Sequence, residues 1–281
     1  MSARAARELL ERHGLAASKE LGQNFLCDEA QADKLVRLAE VGAGDAVLEI
    51  GTGLGILTRA LAEQARAVTT IEIDAGLVRA LRAESVLPAN ARLLHADALA
   101  VDLGAEIAAL AADGARVRVV ANLPYSVATP LMRRFLDLAP RLAGWAVMIQ
   151  REVALRIGAQ PGSRDYGSFA VLHQLVARVR IGLALHPQCF YPAPGVTSSF
   201  VLLTPHAEYA LRPGELERVE RLVRAAFAHR RKTLVNSLRQ SSGIDPVPVA
   251  AWLARSGLDE RTRAEALAPA QWLALAREAL A

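Results

Sequence analysis

The chain is 281 residues long and 52% hydrophobic, enough for one sizeable core plus a small appendage. No apolar run approaches the roughly 20 residues of a membrane span, the N-terminus Met1-Ser-Ala-Arg-Ala-Ala-Arg-Glu lacks the apolar stretch of a leader, and two cysteines, Cys27 and Cys189, are too few for a disulfide framework or a four-ligand zinc site. A formal charge of +4 and a pI near 9.4 admit an anionic partner without demanding one, so the expectation is a monomeric, cytoplasmic protein with no metal. Short β-rich runs at residues 46–50, 67–73, 91–95, 117–121 and 145–149 alternate with helical stretches such as 57–64 and 76–84. That alternation predicts βαβ units and a mainly parallel sheet with helices on both faces. Two further runs, 179–185 and 199–203, are joined by a Pro-rich loop instead of a helix and predict an antiparallel pair ending a seven-stranded sheet. After Thr204-Pro205 the β signal stops. Residues from 213 to 281 read as helices punctuated by Gly243, Pro246, Pro248, Gly257 and Pro269. The expected division is an α/β domain over residues 1–205 and a small helical domain over residues 206–281.

Glu49-Ile-Gly51-Thr-Gly53-Leu-Gly55 follows the first strand and opens a helix. Glycine is needed where a chain turns sharply and lets its backbone approach a ligand. The G-x-G-x-G spacing departs from the G-x-G-x-x-G dinucleotide fingerprint, and the Lys-Ser/Thr of a P-loop is missing, which suits a cofactor without phosphates. About twenty residues on, Glu72 ends the next strand where ribose hydroxyls would lie; the plainer alternative is a solvated strand-end acid. Asp97, followed by Ala98, ends the third strand and offers an acceptor for a purine amino group beside backbone that would meet the ring. Gly51, Glu72 and Asp97 thus stand at the carboxyl ends of successive strands, where open α/β sheets bind ligands. The set resembles the S-adenosylmethionine site of Rossmann-like methyltransferases.

The fourth strand runs into Asn122-Leu123-Pro124-Tyr125. An exocyclic amine is a poor nucleophile because its lone pair is delocalised into the ring. The Asn122 side-chain oxygen and the Leu123 carbonyl can accept both amino hydrogens, which favours a more tetrahedral nitrogen aimed at a sulfonium methyl. Pro124 stiffens the turn, and Tyr125 offers a face on which the target base can stack. Positioning supplies most of this chemistry, so no strong general base is required. By itself the tetrapeptide reads better as a strand-to-helix turn. Behind the cofactor residues it reads as a site for an adenine amino group in a nucleic acid.

These segments resemble the ribosomal RNA adenine dimethyltransferase family. Leu21-Gly-Gln-Asn24-Phe-Leu26, Gln150-Arg-Glu152-Val-Ala154 and Phe190-Tyr-Pro192-Ala-Pro194-Gly-Val196-Thr-Ser198 extend the likeness, in the family's order, from about residue 18 to 239. The resemblance implies cofactor contacts at Asn24, Leu26, Gly51, Glu72, Asp97 and Asn122, with Gly53 and Ala98 beside them. It also implies that Phe190 borders the base pocket as a second stacking face; Phe190 reads equally as a core residue beneath a Pro-rich loop. One departure is Thr52, where the family commonly has Pro. With the glycines retained, an altered turn is expected and not a lost site.

Residues 223–239 contain Arg224, Arg230, Arg231, Lys232 and Arg239 and no acid. Such cations hold phosphates by charge without reading sequence, although a single charge run is usually a solvated helix surface. Arg230, Arg231 and Lys232 also match the family's C-terminal signature, which favours RNA contact. An adenine that must be unstacked points to single-stranded or loop RNA. Within the family the chain looks most like the bacterial small-subunit enzymes. That likeness implies two adjacent N6,N6-dimethyladenosines near the 3′ end of 16S rRNA, made from S-adenosylmethionine on an immature 30S particle. The alternative is a 23S rRNA adenine N6-methyltransferase of the macrolide-resistance type. A DNA adenine methyltransferase and a methyltransferase fold kept as a binding module are more distant readings.

Overall fold

The computed structural model describes residues 1–241 and 244–279; Gly243, expected to punctuate the C-terminal helices, and the helical reading of residues 280–281 lie outside them. In chain order the elements are α1 (Ala3–Arg12), β1 (Phe25–Leu26), α2 (Glu29–Leu38), β2 (Asp45–Ile50), α3 (Ile56–Gln64), β3 (Ala67–Glu72), α4 (Ala75–Ala83), β4 (Ala91–His95), α5 (Leu103–Leu110), β5 (Arg116–Asn122), α6 (Tyr125–Leu138), β6 (Gly144–Gln150), α7 (Arg151–Ile157), α8 (Ser168–Val176), β7 (Ala177–Leu185), β8 (Phe190–Tyr191), β9 (Ser198–Pro205), α9 (Glu215–Phe227), α10 (Leu234–Gln240), α11 (Pro246–Arg255) and α12 (Pro269–Ala279). Every expected strand is present with limits close to those read from the sequence.

Among the described residues, seven strands form one sheet in the order β4-β3-β2-β5-β6-β9-β7. β2 pairs in parallel with both β3 and β5, β3 with β4, and β5 with β6, while β9 runs antiparallel to β6. All six residues of β2 are buried, as a central parallel strand covered on both faces requires. Its first residue, Asp45, tolerates burial because Arg116 Nε and Arg118 Nε approach its carboxylate at 3.0 and 3.2 Å. The chain winds outward from β2 through β3 to β4, then returns to the other side of β2 as β5. That reversal creates the crevice in which open α/β sheets hold ligands.

A second, two-stranded sheet was not anticipated. β1 and β8 pair antiparallel with Phe25 opposite Tyr191 and Leu26 opposite Phe190. Runs this short carry no readable period. The helices flanking β1 start on side-chain caps, Ser2 accepting from the Ala5 N–H at 3.2 Å and Asp28 from the Gln31 N–H at 3.0 Å.

The chain divides into two compact units, Met1–Ala154 with Arg180–Pro205, and Leu155–Val179 with His206–Ala281. The sequence-based division had left residues 155–179 with the α/β domain. They group with the C-terminal helices because Tyr166 meets Phe227 edge-on at 6.2 Å, Phe227 meets Trp272 at 5.8 Å, and Tyr166 Oη donates to the Leu267 carbonyl at 2.9 Å. Trp272 is fully buried there, and truncating such a side chain to Ala costs about 3–5 kcal/mol. In the same unit Arg277 grips Glu215 with two nitrogens, Nε to Oε1 at 2.8 Å and Nη2 to Oε2 at 2.9 Å, and holds that carboxyl down at about 2. Among the described residues no helix is long and apolar enough to cross a membrane.

Candidate active site

A cleft of about 190 Å³ opens at the carboxyl ends of β2, β3, β4 and β5. Asn24 and Leu26 line it from the N-terminal segment, Gly51 and Gly53 from the glycine turn, and Glu72, Asp97 and Ala98 from the next two strand ends. Asn122, Leu123, Pro124 and Tyr125 complete the wall. Residues spread along the first half of the chain are thus gathered at the reversal in strand order.

The glycine turn shows why no side chain fits there. Gly51 has φ 84° and Gly53 φ 55°, a region that costs other residues roughly 1–2 kcal/mol. A Cβ on Gly51 would stand 3.4 Å from the Asn122 carbonyl oxygen, and one on Gly53 would stand 3.1 Å from Phe25 Cδ1. The Gly53 N–H donates to Glu72 Oε2 at 2.9 Å and the Asp74 N–H to Oε1 at 3.0 Å. Glu72 is only 5% exposed, which removes the reading of a solvated strand-end acid. Burial pushes its carboxyl up, and the backbone N–H groups partly oppose that push. A carboxyl has about four acceptor positions, so with these backbone hydrogens accepted it still has capacity for a ligand hydroxyl. Thr52, the departure from the family's usual Pro, is buried and shares a 2.7 Å hydrogen bond with Thr70 Oγ1, so a side-chain bond steadies the turn. Beneath it Glu49 is fully buried, accepts from Thr58 Oγ1 at 2.6 Å, and is pushed up to about 8 by burial. Burial therefore favours the protonated form of Glu49 at pH 7.

Where β5 runs into the loop that follows it, Asn122 Nδ2 donates to the Asn24 carbonyl at 3.0 Å. A carbonyl only accepts, so the amide nitrogen must face it, leaving Oδ1 as the acceptor that Asn122 can offer. The Leu123 N–H donates to the Met148 carbonyl at 3.2 Å and holds the loop against β6. Tyr125 is half-buried and its hydroxyl shares a 2.6 Å hydrogen bond with Ser198 Oγ. Burial raises its phenol above the usual range, so its hydroxyl keeps its proton at neutral pH.

Phe190, expected to be either a second stacking face or a core residue, is 3% exposed and does not line the cleft, packing with Leu26, Val120, Met148 and Phe200 in the core. The β1–β8 register turns it inward opposite Leu26, and full burial of such a ring gains roughly 1.5–3 kcal/mol. Arg230, Arg231 and Lys232 are exposed on the turn between α9 and α10, with Arg230 donating to the Arg164 carbonyl.

A contact beside the cleft escaped the sequence reading. Gln23 Nε2 donates to Asp74 Oδ2 at 2.9 Å, while Asp74 Oδ1 caps α4 by accepting from the Gly76 and Leu77 N–H groups at 2.8 and 3.2 Å. One tie thereby links the N-terminal segment to the loop that follows Glu72. An Asp two residues beyond a strand-end acid, just before a helix, was the available signal for the cap. Nothing local marked its partner.

Residues 14–280 match the pattern of the family described as Ribosomal RNA adenine dimethylase. The protein named Ribosomal RNA small subunit methyltransferase A in Magnetococcus marinus is 43% identical to this chain, over 95% of it and 94% of the relative. Its namesake in Moorella thermoacetica is 38% identical, over 96% and 94%. Among solved structures, a dimethyladenosine transferase from Plasmodium falciparum superposes with a TM-score of 0.73 at 23% identity, covering 89% of this chain and 95% of its own, which supports the fold. The 23S rRNA methyltransferase ErmE superposes with a TM-score of 0.67 at 27% identity, covering 92% and 100%. The match runs through the cleft residues and on into the C-terminal helices, and the chain belongs to the ribosomal RNA adenine dimethylase family.

Proposed function

We propose that the protein, acting as a cytoplasmic monomer, transfers methyl groups from S-adenosylmethionine to the N6 amines of two adjacent adenosines near the 3′ end of small-subunit rRNA during assembly of the 30S particle. The observation that carries this reading is the tethered carboxamide of Asn122. Its nitrogen is committed to the Asn24 carbonyl at 3.0 Å, so its oxygen is the acceptor directed to a substrate amine.

The residues present fit an adenosyl cofactor. The glycine turn lets backbone approach it, buried Glu72 retains acceptor capacity for ribose hydroxyls, and Asp97 is placed to accept from the adenine amino group. When bound, the cofactor supplies an electrophilic methyl on a sulfonium. Asn122 Oδ1 and the Leu123 carbonyl accept the two hydrogens of the target amine and orient its lone pair, while the Tyr125 ring stacks on the base. The alkylated amine is acidic enough to shed its proton to water, so the loop needs no ionised base. Arg230, Arg231 and Lys232 hold RNA phosphates from the helical unit without reading bases. The small-subunit target is favoured by relatives of that name at 38–43% identity over nearly the full length, against 27% for the 23S enzyme.

The test is transfer of labelled methyl groups to purified small and large subunits lacking the modification. Label in small-subunit rRNA, read as dimethyladenosine by mass spectrometry, is the expected result. Label confined to large-subunit RNA overturns the choice of target. Asn122→Ala is expected to abolish transfer with RNA binding largely kept, and undiminished transfer by that variant overturns the mechanism.

A further inference from the structure

The loop that follows β4 is tied at its start, where the Ala96 N–H donates to the Glu72 carbonyl at 3.0 Å, and it carries Asp97 and Ala98 into the cleft on bonds that are short-range. Asp97 Oδ1 accepts from the Leu99 N–H at 2.8 Å, and the Asp97 carbonyl accepts from the Ala100 and Val101 N–H groups at 3.0 and 2.9 Å. Asp97 and Leu99 are exposed, so these local bonds compete with water. Further along, a long-range side chain grips the same loop. Arg134 Nη1 donates to the Ala98 carbonyl at 2.7 Å and the Leu99 carbonyl at 2.9 Å, and Nη2 donates to the Val101 carbonyl at 2.9 Å. A guanidinium presents its donors in a fixed planar fork, so three converging carbonyls define the loop's shape and not merely its proximity.

Arg134 lies on α6, the helix that begins at Tyr125, directly behind Asn122-Leu123-Pro124. Nine helical steps, with Pro130 among them, carry the chain from Tyr125 to Arg134, a span of about 13 Å. The loop that would hold the target amine and the loop that would hold the cofactor's adenine are therefore joined through one helix and one side chain. We propose that Arg134 is a positioning residue: it sets the adenine subsite of the cofactor, through the carbonyls of Ala98, Leu99 and Val101, in register with the catalytic loop. The inference rests on the reading of the cleft as an adenosyl-cofactor site.

The test uses the full-length protein and the variants Arg134→Met and Arg134→Lys. S-adenosylhomocysteine binding is measured by calorimetry, KM for S-adenosylmethionine and kcat with small subunits as substrate, and the folded fraction by circular dichroism. Arg134→Met is expected to weaken S-adenosylhomocysteine binding and to raise KM for the methyl donor by about tenfold, with kcat within a few fold of the parent and KM for RNA unchanged. Arg134→Lys, which keeps the charge and loses the fork, is expected to fall between the two. The proposal is overturned if Arg134→Met binds S-adenosylhomocysteine as the parent does. It is equally overturned if kcat falls at unchanged KM, or if every loss follows the unfolded fraction alone. A parent protein that binds no S-adenosylhomocysteine at all would instead refute the reading of the cleft.

Discussion

Glu49→Gln removes one ionisation from the floor of the glycine turn while keeping the shape of the side chain. Burial pushes the Glu49 carboxyl up to about 8; the Thr58 and Thr70 hydroxyls oppose the shift and the charge of Glu72 adds to it. In the unfolded chain the same group titrates near about 4.3. The folded state thus holds a proton that the unfolded chain gives up. Because the folded value is the higher one, the stabilisation is fully present below about pH 4 and is lost as pH rises to about 8. At about 1.4 kcal/mol per pH unit, the wild-type protein loses up to about 5 kcal/mol across that window. Gln cannot ionise and still accepts from Thr58. Its amide, however, replaces Oε1, which has no hydrogen-bond partner among the described residues, at a cost of about 1–3 kcal/mol. The variant is therefore expected to be the less stable protein near about pH 4 and the more stable one near about pH 8.5. Urea unfolding followed by circular dichroism at intervals across that range measures both curves, and groups common to the two proteins cancel in their difference. Wild-type and variant curves that run parallel would refute the assignment of a neutral buried acid.

Other outcomes follow from single contacts. Gly53→Ala puts a Cβ at positive φ and 3.1 Å from Phe25; it is expected to destabilise by about 1–2 kcal/mol and to weaken S-adenosylhomocysteine binding, and unaltered calorimetric affinity would contradict the role of the turn. Tyr125→Phe loses the 2.6 Å bond to Ser198, worth about 1 kcal/mol, and keeps the stacking ring, so most of kcat should survive where Tyr125→Ala loses it; equal loss in both would shift the role to the hydroxyl. Thr52→Val leaves Thr70 Oγ1 without its 2.7 Å neighbour and is expected to lower the unfolding free energy by about 1–2 kcal/mol, measured by chemical denaturation. Replacing Arg230, Arg231 and Lys232 together by Ala should weaken RNA binding and flatten its slope against log salt by about 2, with cofactor affinity unmoved; a matching fall in cofactor affinity would defeat the separation of roles.

The α/β fold was legible because its signals are local. Apolar runs such as residues 46–50 seek burial on both faces, and helical stretches between them force parallel crossovers. Gly51 and Gly53 announced a turn only glycine accepts, and Asn122-Leu123-Pro124-Tyr125 named an acceptor, a stiffener and a ring. These facts, with the order of the flanking segments, determined the sheet, the cleft's main residues and the kind of chemistry proposed for it. Tertiary structure decided the rest. The two-residue pairing of β1 with β8 turns Phe190 into the core, and no two-residue run can advertise its partner. The aromatic contacts of Tyr166, Phe227 and Trp272 draw residues 155–179 to the C-terminal helices, although their own pattern is neutral between the units. Gln23 reaches Asp74 and Arg134 reaches three carbonyls only once the folded backbone brings them near. Sequence records what each residue seeks and what turn it can make. Which distant backbone oxygen a long side chain meets, and which face of a strand looks inward, depends on long-range register, and that exists only in the folded chain.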